Sequence, residues 1–362
     1  MRYYVISGET SGDNHAARVI TELKELDSNT EFRGMGGDRS EAAGQQLLLH
    51  QKEMAIIGFF EVVRNLREIA KNLKLVKKDI ATWNPECIIL VDYPGFNFKI
   101  AKYAAELNIP VHYYIAPKVW AWKESRVKLI KRYVTKLYCI LPFEPEYFQK
   151  HNIQVDYVGN PSKETVDEYL ANNATPETKK SIALLPGSRS SEINAALPIM
   201  LEALSDFSEY EIKIAQAPGF SDAFYHDFDP RLTLVKDDMY GLLADSKASI
   251  VTSGTATLET ALMNVPQVIC YKTSYISYLI VKAVVKLKYV SLVNLILNRE
   301  AINELLQYEF TAENIKKQLT ALLEDSKERK ELLLDYDILR QNLGDKKPSK
   351  LVAKGIFNSL RA

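Results

Sequence analysis

Strand-like and helix-like segments alternate along the whole sequence, and this alternation constrains the fold more than any other feature. Many candidate strands are apolar at consecutive positions, which is typical of parallel strands that helices cover on both faces. Amphipathic helices are expected between them, as in residues 66–80, where apolar side chains repeat at three- and four-residue steps. Repeated strand–helix units predict an α/β fold with doubly wound, Rossmann-like parallel sheets. The predicted strands are Tyr3–Ile6, Cys87–Val91, Val111–Ile115, Leu137–Leu141, Val155–Val158, Ile182–Leu185, Glu211–Ala215, Leu232–Val235, Ser249–Val251 and Gln267–Tyr271.

The chain has 362 residues, more than one ordinary hydrophobic core accommodates, and this length predicts two domains. Residues 170–179 are polar, contain a proline and lack periodicity, so they are expected to form the linker. The first domain is then expected at residues 1–170 and the second at 180–341, followed by a helical tail. We expect the last helix, 345–362, to fold back onto the first domain. Two Rossmann-like halves would face each other across a cleft between the carboxyl ends of their sheets.

Charge and cysteine usage exclude several classes of protein. Lys plus Arg equals Asp plus Glu, at 46 each, which argues against nucleic-acid binding. Cys87, Cys139 and Cys270 lie far apart in apolar runs, as expected for buried free thiols in a reducing compartment. The histidines lack metal-ligand spacing, so we do not expect a bound metal. No cofactor is predicted. The sequence has no signal-peptide pattern and no apolar run of roughly 18 residues, which predicts a cytoplasmic protein unless it adheres to a membrane surface.

Two loops in the second half have the pattern of an anion site. Each loop follows an apolar run and precedes a helical segment. The loops are Leu-Leu-Pro-Gly-Ser-Arg at 184–189 and Thr-Ser-Gly-Thr-Ala-Thr-Leu-Glu at 252–259. In that geometry free backbone N–H groups and the positive end of a helix face a bound anion. Arg189 adds a forked cation suited to phosphate oxygens, and Glu259 lies about one turn inside its helix, within reach of a sugar diol. The pattern predicts a nucleotide or nucleotide-sugar site.

Two further segments in the first half follow predicted strands. Ser7–Asp13 is rich in glycine and serine but matches neither a Walker loop nor Gly-x-Gly-x-x-Gly. It is interpreted either as part of a ligand site or as a strand–helix turn in which Asp13 is a cap. Asp92 ends an apolar strand, where its carboxylate could take a proton from an incoming hydroxyl. The alternative is an Asx-turn leading into Pro94.

Aromatic and basic residues in the first half suggest a lipid-facing surface. Trp120 and Trp122 stand beside several cations and could contact an acyl chain or an anionic group, or merely pack a loop against a helix. Phe59 and Phe60 precede a second basic cluster, a pattern that suits attachment to an anionic bilayer and also fits a solvated helix face. Residues 275–297 are apolar but interrupted by lysines, and fit either a core helix or an interfacial one. The clustered cations are Arg64, Arg67, Lys71, Lys74, Lys77 and Lys78, and Lys123, Arg126, Lys128, Lys131 and Arg132.

Several short strings together carry a resemblance. They are Gly-Glu-Thr-Ser-Gly-Asp (8–13), Ile-Gly-Phe-Phe-Glu-Val (57–62), Pro-Lys-Val-Trp-Ala-Trp (117–122), Leu-Pro-Phe-Glu (141–144), Leu-Leu-Pro-Gly-Ser-Arg with Glu192, Ser-Gly-Thr-Ala-Thr-Leu-Glu (253–259), Tyr-Val-Ser-Leu-Val-Asn-Leu (289–295) and Glu-Leu-Leu-Gln (304–307). Each string is short, but their number and order are specific. Through them the chain resembles, nearly from end to end, the lipid-A-disaccharide synthases, which are inverting glycosyltransferases with the two-domain GT-B architecture.

The resemblance implies a reaction of lipid A biosynthesis, the pathway that supplies lipopolysaccharide to the bacterial outer membrane. The family transfers 2,3-diacylglucosamine from its UDP donor to 2,3-diacylglucosamine 1-phosphate (lipid X), and forms a β-1,6-linked disaccharide and UDP. It acts as a peripheral protein on the inner face of the cytoplasmic membrane. The helical tail is also compatible with a homodimer that exchanges C-terminal elements.

The resemblance also implies roles for individual residues. Asp92 would be the general base, and Arg189 would stabilise the leaving diphosphate. The donor site would comprise Gly187, Ser188, Arg189, Ser253, Gly254, Thr255, Glu259 at the ribose, Asn294, and Gln307 behind them. The first domain would line the cleft with Glu9, Ser11 and Asp13, and would meet acyl chains or the membrane with Phe59, Phe60, Trp120 and Trp122.

The chain departs from the family at Gly95, where many members have a second aspartate, and this places more weight on Asp92. Thr10 replaces a commoner alanine, a change without expected consequence. Two alternatives remain open at this point: another enzyme of the same architecture, such as a UDP-N-acetylglucosamine 2-epimerase, or a non-catalytic nucleotide- or lipid-binding protein. The epimerase would need no lipid acceptor, so the aromatic and basic segments of the first half count against it.

Overall fold

The computed structural model describes residues 1–53, 66–174, 180–273 and 287–361. Its contacts divide the chain into two units, Met1–Pro161 with Asp345–Ala362, and Ser162–Gly344. Residues 162–170, which the sequence analysis placed in the first domain, therefore belong to the second unit. One reason is an ion pair in which the Arg340 guanidinium lies 2.8 Å from the Asp167 carboxylate.

Each unit contains one parallel sheet. The first has the order β3-β2-β1-β4-β5-β6-β7 and the second β10-β9-β8-β11-β12-β13, and every strand pair is parallel. The strands are β1 Arg2–Ser7, β2 Glu31–Gly36, β3 Gln45–His50, β4 Cys87–Val91, β5 Val111–Tyr114, β6 Lys136–Cys139, β7 Asp156–Tyr157, β8 Ser181–Leu185, β9 Glu211–Gln216, β10 Thr233–Lys236, β11 Ser246–Thr252, β12 Gln267–Tyr271 and β13 Glu304–Leu306. The predicted doubly wound Rossmann-like architecture is confirmed.

Helices connect the strands and form the C-terminal region. In chain order they are α1 Thr10–Leu26, α2 Asp38–Ala42, α3 Leu66–Trp83, α4 Pro94–Glu106, α5 Val127–Tyr133, α6 Glu144–Lys150, α7 Pro161–Asn172, α8 Ser190–Ala203, α9 Asp222–His226, α10 Met239–Ala244, α11 Thr255–Leu262, α12 Leu292–Leu297, α13 Ala312–Leu323, α14 Lys327–Leu343 and α15 Pro348–Ser359. Short 3₁₀ turns occupy Gln51–Glu53 and Glu124–Arg126. None of the helices in the described ranges is long and apolar enough to cross a membrane.

Both faces of the first sheet are covered, because alternate residues of one strand enter different cores. In β4, Ile88 and Leu90 face one core, whereas Cys87, Ile89 and Val91 face the other. The core that contains Cys87, Ile89 and Val91 also includes the apolar face of α15, which packs on α1. The last helix thus lies in the first unit. The three cysteines are buried and unpaired, as the sequence predicted.

The ten predicted strands coincide with strands of the two sheets, and β2, β3 and β13 were missed. In β2 the glycine at 34 has φ +140°, and a side chain there would meet the Val5 carbonyl oxygen. In β3 the buried amide of Gln45 donates to that same carbonyl, a polar residue in the interior that hides the strand pattern. β13 has three residues, which are too few to show a periodic pattern in the sequence.

Candidate functional site

The strand order reverses once in each sheet, and the candidate loops follow the strands at those points. The reversals lie between β1 and β4 and between β8 and β11. Ligands of open parallel sheets bind at the carboxyl ends of the strands at such a switch point. Leu185 of β8 pairs with Val251 of β11, and Ser7 of β1 pairs with Val91 of β4, so in each sheet the two strands end side by side.

The loop after β8 turns sharply into α8. Gly187 has φ +118°, in the region that favours glycine, and the exposed Ser188 and Arg189 follow it. Arg189 is the N-cap residue of α8, and its own side chain does not cap the helix. The first N–H groups of α8 are therefore suited to meet an anion, and the predicted anion site at this loop stays a prediction.

The Arg189 guanidinium is half-exposed and paired with Glu192. Arg189 Nη1 donates to Glu192 Oε1 over 2.8 Å, and the backbone N–H of Ser188 donates to Glu192 Oε2 over 3.1 Å. One carboxylate therefore contacts two of the groups that the sequence analysis assigned to a diphosphate. This contact was not predicted, although Glu192 was part of the motif.

The loop after β11 leads into α11 in the same way. The Ser253 N–H donates to the Cys270 carbonyl of β12 over 2.8 Å, which fixes the loop to the sheet. Gly254 is the N-cap residue and is exposed together with Thr255. Apart from its neighbours along the chain, no atom of the described residues lies within 4 Å of where its Cβ would be. The second predicted anion site therefore has both an open approach and an uncapped helix end.

Glu259 is held by two hydroxyl groups that the sequence did not point to. Its Oε1 accepts hydrogen bonds from Tyr240 Oη over 3.0 Å and from Ser162 Oγ over 3.3 Å. Burial raises the pKa of Glu259, and the two hydroxyls act in the opposite direction. Within the described part of the chain Oε2 accepts no hydrogen bond, so one oxygen orients the carboxylate while the other can contact a sugar hydroxyl.

Asn294 is completely buried, and its amide has no capacity left for a ligand. The Nδ2 group donates to the Ile302 carbonyl and to Glu304 Oε1, over 2.7 and 3.0 Å. The Oδ1 atom accepts from the N–H groups of Ala301 and Ile302. Two donors and two lone pairs are all that an asparagine amide offers. Asn294 therefore fixes the segment that leads into β13. Its predicted place in the donor site stays a prediction, and these contacts favour a structural role for it there.

Asn294→Ala is expected to lower the melting temperature. Two backbone N–H groups and a carboxylate oxygen would lose their buried partner, which costs on the order of 3 kcal/mol. Thermal unfolding of the variant measures this, with Asn303→Ala, an exposed amide on the same segment, as the matched control. An unchanged melting temperature together with lost donor binding would instead support its predicted place in the donor site.

Gln307 lies at the carboxyl edge of the second sheet, just after β13. Its φ is +51°, its N–H donates to the Tyr271 carbonyl over 2.9 Å, and its amide, oriented so that both atoms are satisfied, pairs with the backbone of Thr273. It therefore ties β13 to the end of β12. Its predicted place behind the donor site stays a prediction.

In the first unit, Asp92 begins the turn after β4 in a costly backbone conformation. Asp92 and Tyr93 have φ +46° and +48°, the left-handed region, where a non-glycine residue costs about 1–3 kcal/mol at strained sites. Two side chains hold the turn, because the Asp92 carbonyl accepts from Asn97 Nδ2 over 2.7 Å and from Tyr113 Oη over 2.6 Å. The backbone of Asp92 is fixed, and its carboxylate takes no part in that restraint.

Burial raises the pKa of Asp92, and the charge of Glu9 raises it further. Lys118 and the N–H of Tyr93 lower it. A carboxylate with a raised pKa is a stronger base, and this suits it to accept a proton from a hydroxyl. The loop after β1 lies against the same turn, since a Cβ on Gly8 would be 2.5 Å from the Tyr93 ring.

Lys118→Gln is expected to move the acid limb of the pH profile of kcat/KM to higher pH. As the predicted general base, Asp92 would work only when deprotonated. Lys118 favours that form, so removing the cation raises the pKa of Asp92. Activity is then lost at a higher pH as the solution is acidified. Rate measurements from pH 4 to pH 8 test this, with the exposed Lys102→Gln as control. An identical acid limb would mean that Lys118 does not act on the base.

Glu9 and Ser11 are exposed at the start of α1, but Asp13 is not. The Asp13 carboxylate is buried and accepts from the N–H groups of Gly37, Arg39 and Ser40, over 2.7, 3.0 and 3.2 Å. It therefore caps α2, and its predicted place in the lining of a cleft stays a prediction. The alternative interpretation as a cap named the right role, although the capped helix is not its own.

The two tryptophans have different environments. Trp120 is partly buried, donates from Nε1 to Glu144 Oε1 over 3.0 Å, and packs edge-on against Phe143. Burial raises the pKa of Glu144 to about 7. Trp122 is 40% exposed, and Lys123 Nζ lies 4.3 Å from its ring centroid. Phe59 and Phe60, and residues 274–286 of the apolar segment, lie outside the described residues.

Comparison with known proteins gives a full-length match. A family model described as lipid-A-disaccharide synthetase matches residues 3–353. A curated lipid-A-disaccharide synthase from Acidobacterium capsulatum is 34% identical over 94% of this chain and 91% of its own. Other curated relatives with the same name are 32% to 34% identical over nearly the whole chain.

Solved structures share the fold at low identity. A UDP-GlcNAc 2-epimerase from Methanocaldococcus jannaschii, in complex with UDP-GlcNAc and UDP, is 11% identical with a TM-score of 0.67, and the match covers 99% of this chain and 100% of that one. The calicheamicin glycosyltransferase CalG4 is 14% identical with a TM-score of 0.64, covering 99% and 98%. The architecture is therefore that of GT-B glycosyltransferases and related epimerases.

Proposed function

The chain belongs to the lipid-A-disaccharide synthase family, and from that premise we propose how its residues divide the work of the reaction. It is a glycosyltransferase of lipid A biosynthesis that joins a UDP-linked diacylglucosamine to lipid X. The epimerase alternative has only a likeness of fold behind it, at 11% to 13% identity, and is not favoured.

We propose a single displacement at the anomeric carbon of the donor. The 6-hydroxyl of lipid X gives its proton to the Asp92 carboxylate and attacks the anomeric carbon from the face opposite UDP. The new bond to the acceptor oxygen forms as the bond to the diphosphate oxygen breaks, and the configuration inverts. The side chains of Asn97 and Tyr113 hold Asp92 by its backbone carbonyl, which supports this role most directly because neither of them occupies the carboxylate.

The leaving diphosphate gains negative charge during this step. Arg189 and the N-terminal ends of α8 and α11 are the groups of the second unit that are suited to stabilise it. Glu259 would bind the ribose hydroxyls through its second oxygen. Gly95 is exposed and offers no carboxylate at the position where many family members have a second aspartate, so we assign the proton transfer to Asp92.

Incubation with both acylated substrates in detergent tests the proposal. UDP and the disaccharide 1-phosphate are expected in equal amounts, separated by thin-layer chromatography from radiolabelled lipid X. With the UDP-sugar alone, no epimer and no UDP are expected. Binding of both substrates without release of UDP would instead identify a non-catalytic binding protein.

We also propose that the first unit attaches to the inner face of the cytoplasmic membrane. Trp122 is exposed between Lys123 and Arg126, whose charged groups lie 4.3 and 5.4 Å from its ring centroid. The helix α5 that follows carries more exposed cations, Lys128, Lys131 and Arg132. An exposed aromatic ring among cations suits an anionic lipid surface. Sedimentation with phosphatidylglycerol and phosphatidylcholine vesicles tests the attachment, and sedimentation equilibrium tests the predicted homodimer.

A further inference from the structure

The side chain of Glu192 contacts the loop that is proposed to bind the diphosphate. Glu192 is the third residue of α8, and its side chain turns back toward the residues that precede the helix. A glutamate at this position commonly accepts a hydrogen bond from the N–H of the N-cap residue. Here the acceptor contact is made instead with Ser188, one residue before the N-cap Arg189, over 3.1 Å. The carboxylate therefore lies over the loop itself.

The loop has the shape that this carboxylate requires. A Cβ on Gly187 would lie 2.8 Å from both the Cβ and the Oε2 of Glu192, so only glycine leaves room for the side chain. The second oxygen of Glu192 accepts from Arg189 Nη1. The Glu192 side chain is 21% exposed, so solvent and ligands can still reach it.

The charge of Glu192 also acts on Tyr271, at the edge of the sheet where a nucleotide would lie. Tyr271 ends β12, next to β11, and Glu192 raises the pKa of its phenol while Arg189 lowers it, after the larger effect of burial. Glu192 and Arg189 therefore both act on the carboxyl edge of the second sheet.

A carboxylate and a phosphate compete for the same donors. Both are anions that only accept hydrogen bonds, and both suit a guanidinium fork and a free N–H group. We propose that Glu192 is a placeholder anion: it occupies the Ser188 N–H and the Arg189 guanidinium when the nucleotide is absent, and yields them to the diphosphate of the donor. The inference rests on the proposed function of this loop.

The placeholder has two consequences for turnover. It keeps Arg189 and the loop ordered between reactions, so less side-chain freedom is lost when the donor binds. The placeholder also opposes the retention of UDP. The product must displace the Glu192 carboxylate from Ser188 and Arg189, and the carboxylate returns to them when UDP leaves. Glu192 is thus a positioning residue that sets the affinity for diphosphate-containing ligands.

Glu192→Gln removes the charge and keeps the size of the side chain. We expect UDP to bind about tenfold more tightly to the variant than to the wild type, by isothermal titration calorimetry, and to inhibit the transferase more strongly as product. Uridine, which has no phosphates, is expected to bind both proteins equally. Glu192→Ala is expected to bind UDP more tightly as well. Glu202→Gln, an exposed position on the same helix, removes the same charge and should change nothing.

An unchanged or weakened affinity of Glu192→Gln for UDP, with the wild type binding UDP normally, would overturn the placeholder alone. Weakened binding would instead indicate that Glu192 aims Arg189 at the phosphates. A wild-type protein that binds neither UDP nor the UDP-sugar would overturn the proposed function and the placeholder with it. The two failures are therefore distinguishable.

Discussion

Replacing Asp92 with asparagine is expected to lower kcat by at least about a hundredfold. Asparagine has nearly the same shape as aspartate but cannot accept the proton of the acceptor hydroxyl, and general-base catalysis contributes roughly 10²–10⁴-fold. Steady-state kinetics with saturating donor and acceptor measure the loss. The KM for the UDP donor is expected to stay near its wild-type value, because Asp92 belongs to the first unit and the loops that we propose to bind the donor belong to the second.

The structure favours asparagine over alanine for this test. Asp92 has φ +46°, and asparagine is among the few residues that adopt this conformation readily. The hydrogen bonds from Asn97 and Tyr113 reach the backbone carbonyl, so they survive the substitution. Asp92→Ala is expected to lose activity as well, but with added backbone strain that lowers stability.

The exposed Asp38→Asn, which removes a carboxylate paired with Lys52, serves as the control and should retain full activity. Melting temperatures of both variants establish that they are folded. Turnover of Asp92→Asn at the wild-type rate would show that another group is the base. Glu9, whose charge acts on Asp92, would then be the first candidate.

The fold could be predicted from the sequence because its strands are buried on both faces. β4 and β8 are apolar at almost every position, and this pattern is visible without any knowledge of distant contacts. β2 and β3 could not be recognised, since their interior positions include Gly34 and Gln45, which are explained only by the Val5 carbonyl of the neighbouring strand. These contacts join residues that lie about 30 to 40 positions apart, so the local sequence of β2 and β3 does not show them.

The candidate site divides in the same way. The loops at Gly187 and Gly254 could be found, because a strand, a small-residue loop and a helix follow one another directly in the sequence. The partners of Glu259 could not, since Ser162 and Tyr240 come from distant segments without a motif. The contacts of Asp13 with the N–H groups of α2 and those of Asn294 before β13 could not be predicted either, because a polar residue in a motif does not reveal whether its hydrogen bonds are already used.

Arg189→Ala is expected to lower kcat by about 10²–10³-fold, the effect typical of losing one preorganised stabiliser of developing charge. The side chain is half-exposed and makes its ion pair with Glu192 alone among the described residues, so the protein is expected to fold normally. The affinity for UDP should fall too, because the variant keeps the Glu192 carboxylate beside the phosphates and loses the cation that offsets it.

Arg189→Lys separates charge from geometry. Lysine restores one positive charge but lacks the planar fork that can hold Glu192 with one nitrogen and a phosphate oxygen with another. Partial recovery of kcat is expected, and steady-state rates of both variants measure it. Arg231→Ala is the matched control, since Arg231 is 87% exposed and pairs with Asp229 at the surface of the same unit. Full activity in Arg189→Ala would place the stabilisation of the leaving group on the helix N-termini alone, and near-complete rescue by lysine would mean that charge matters there and the fork does not.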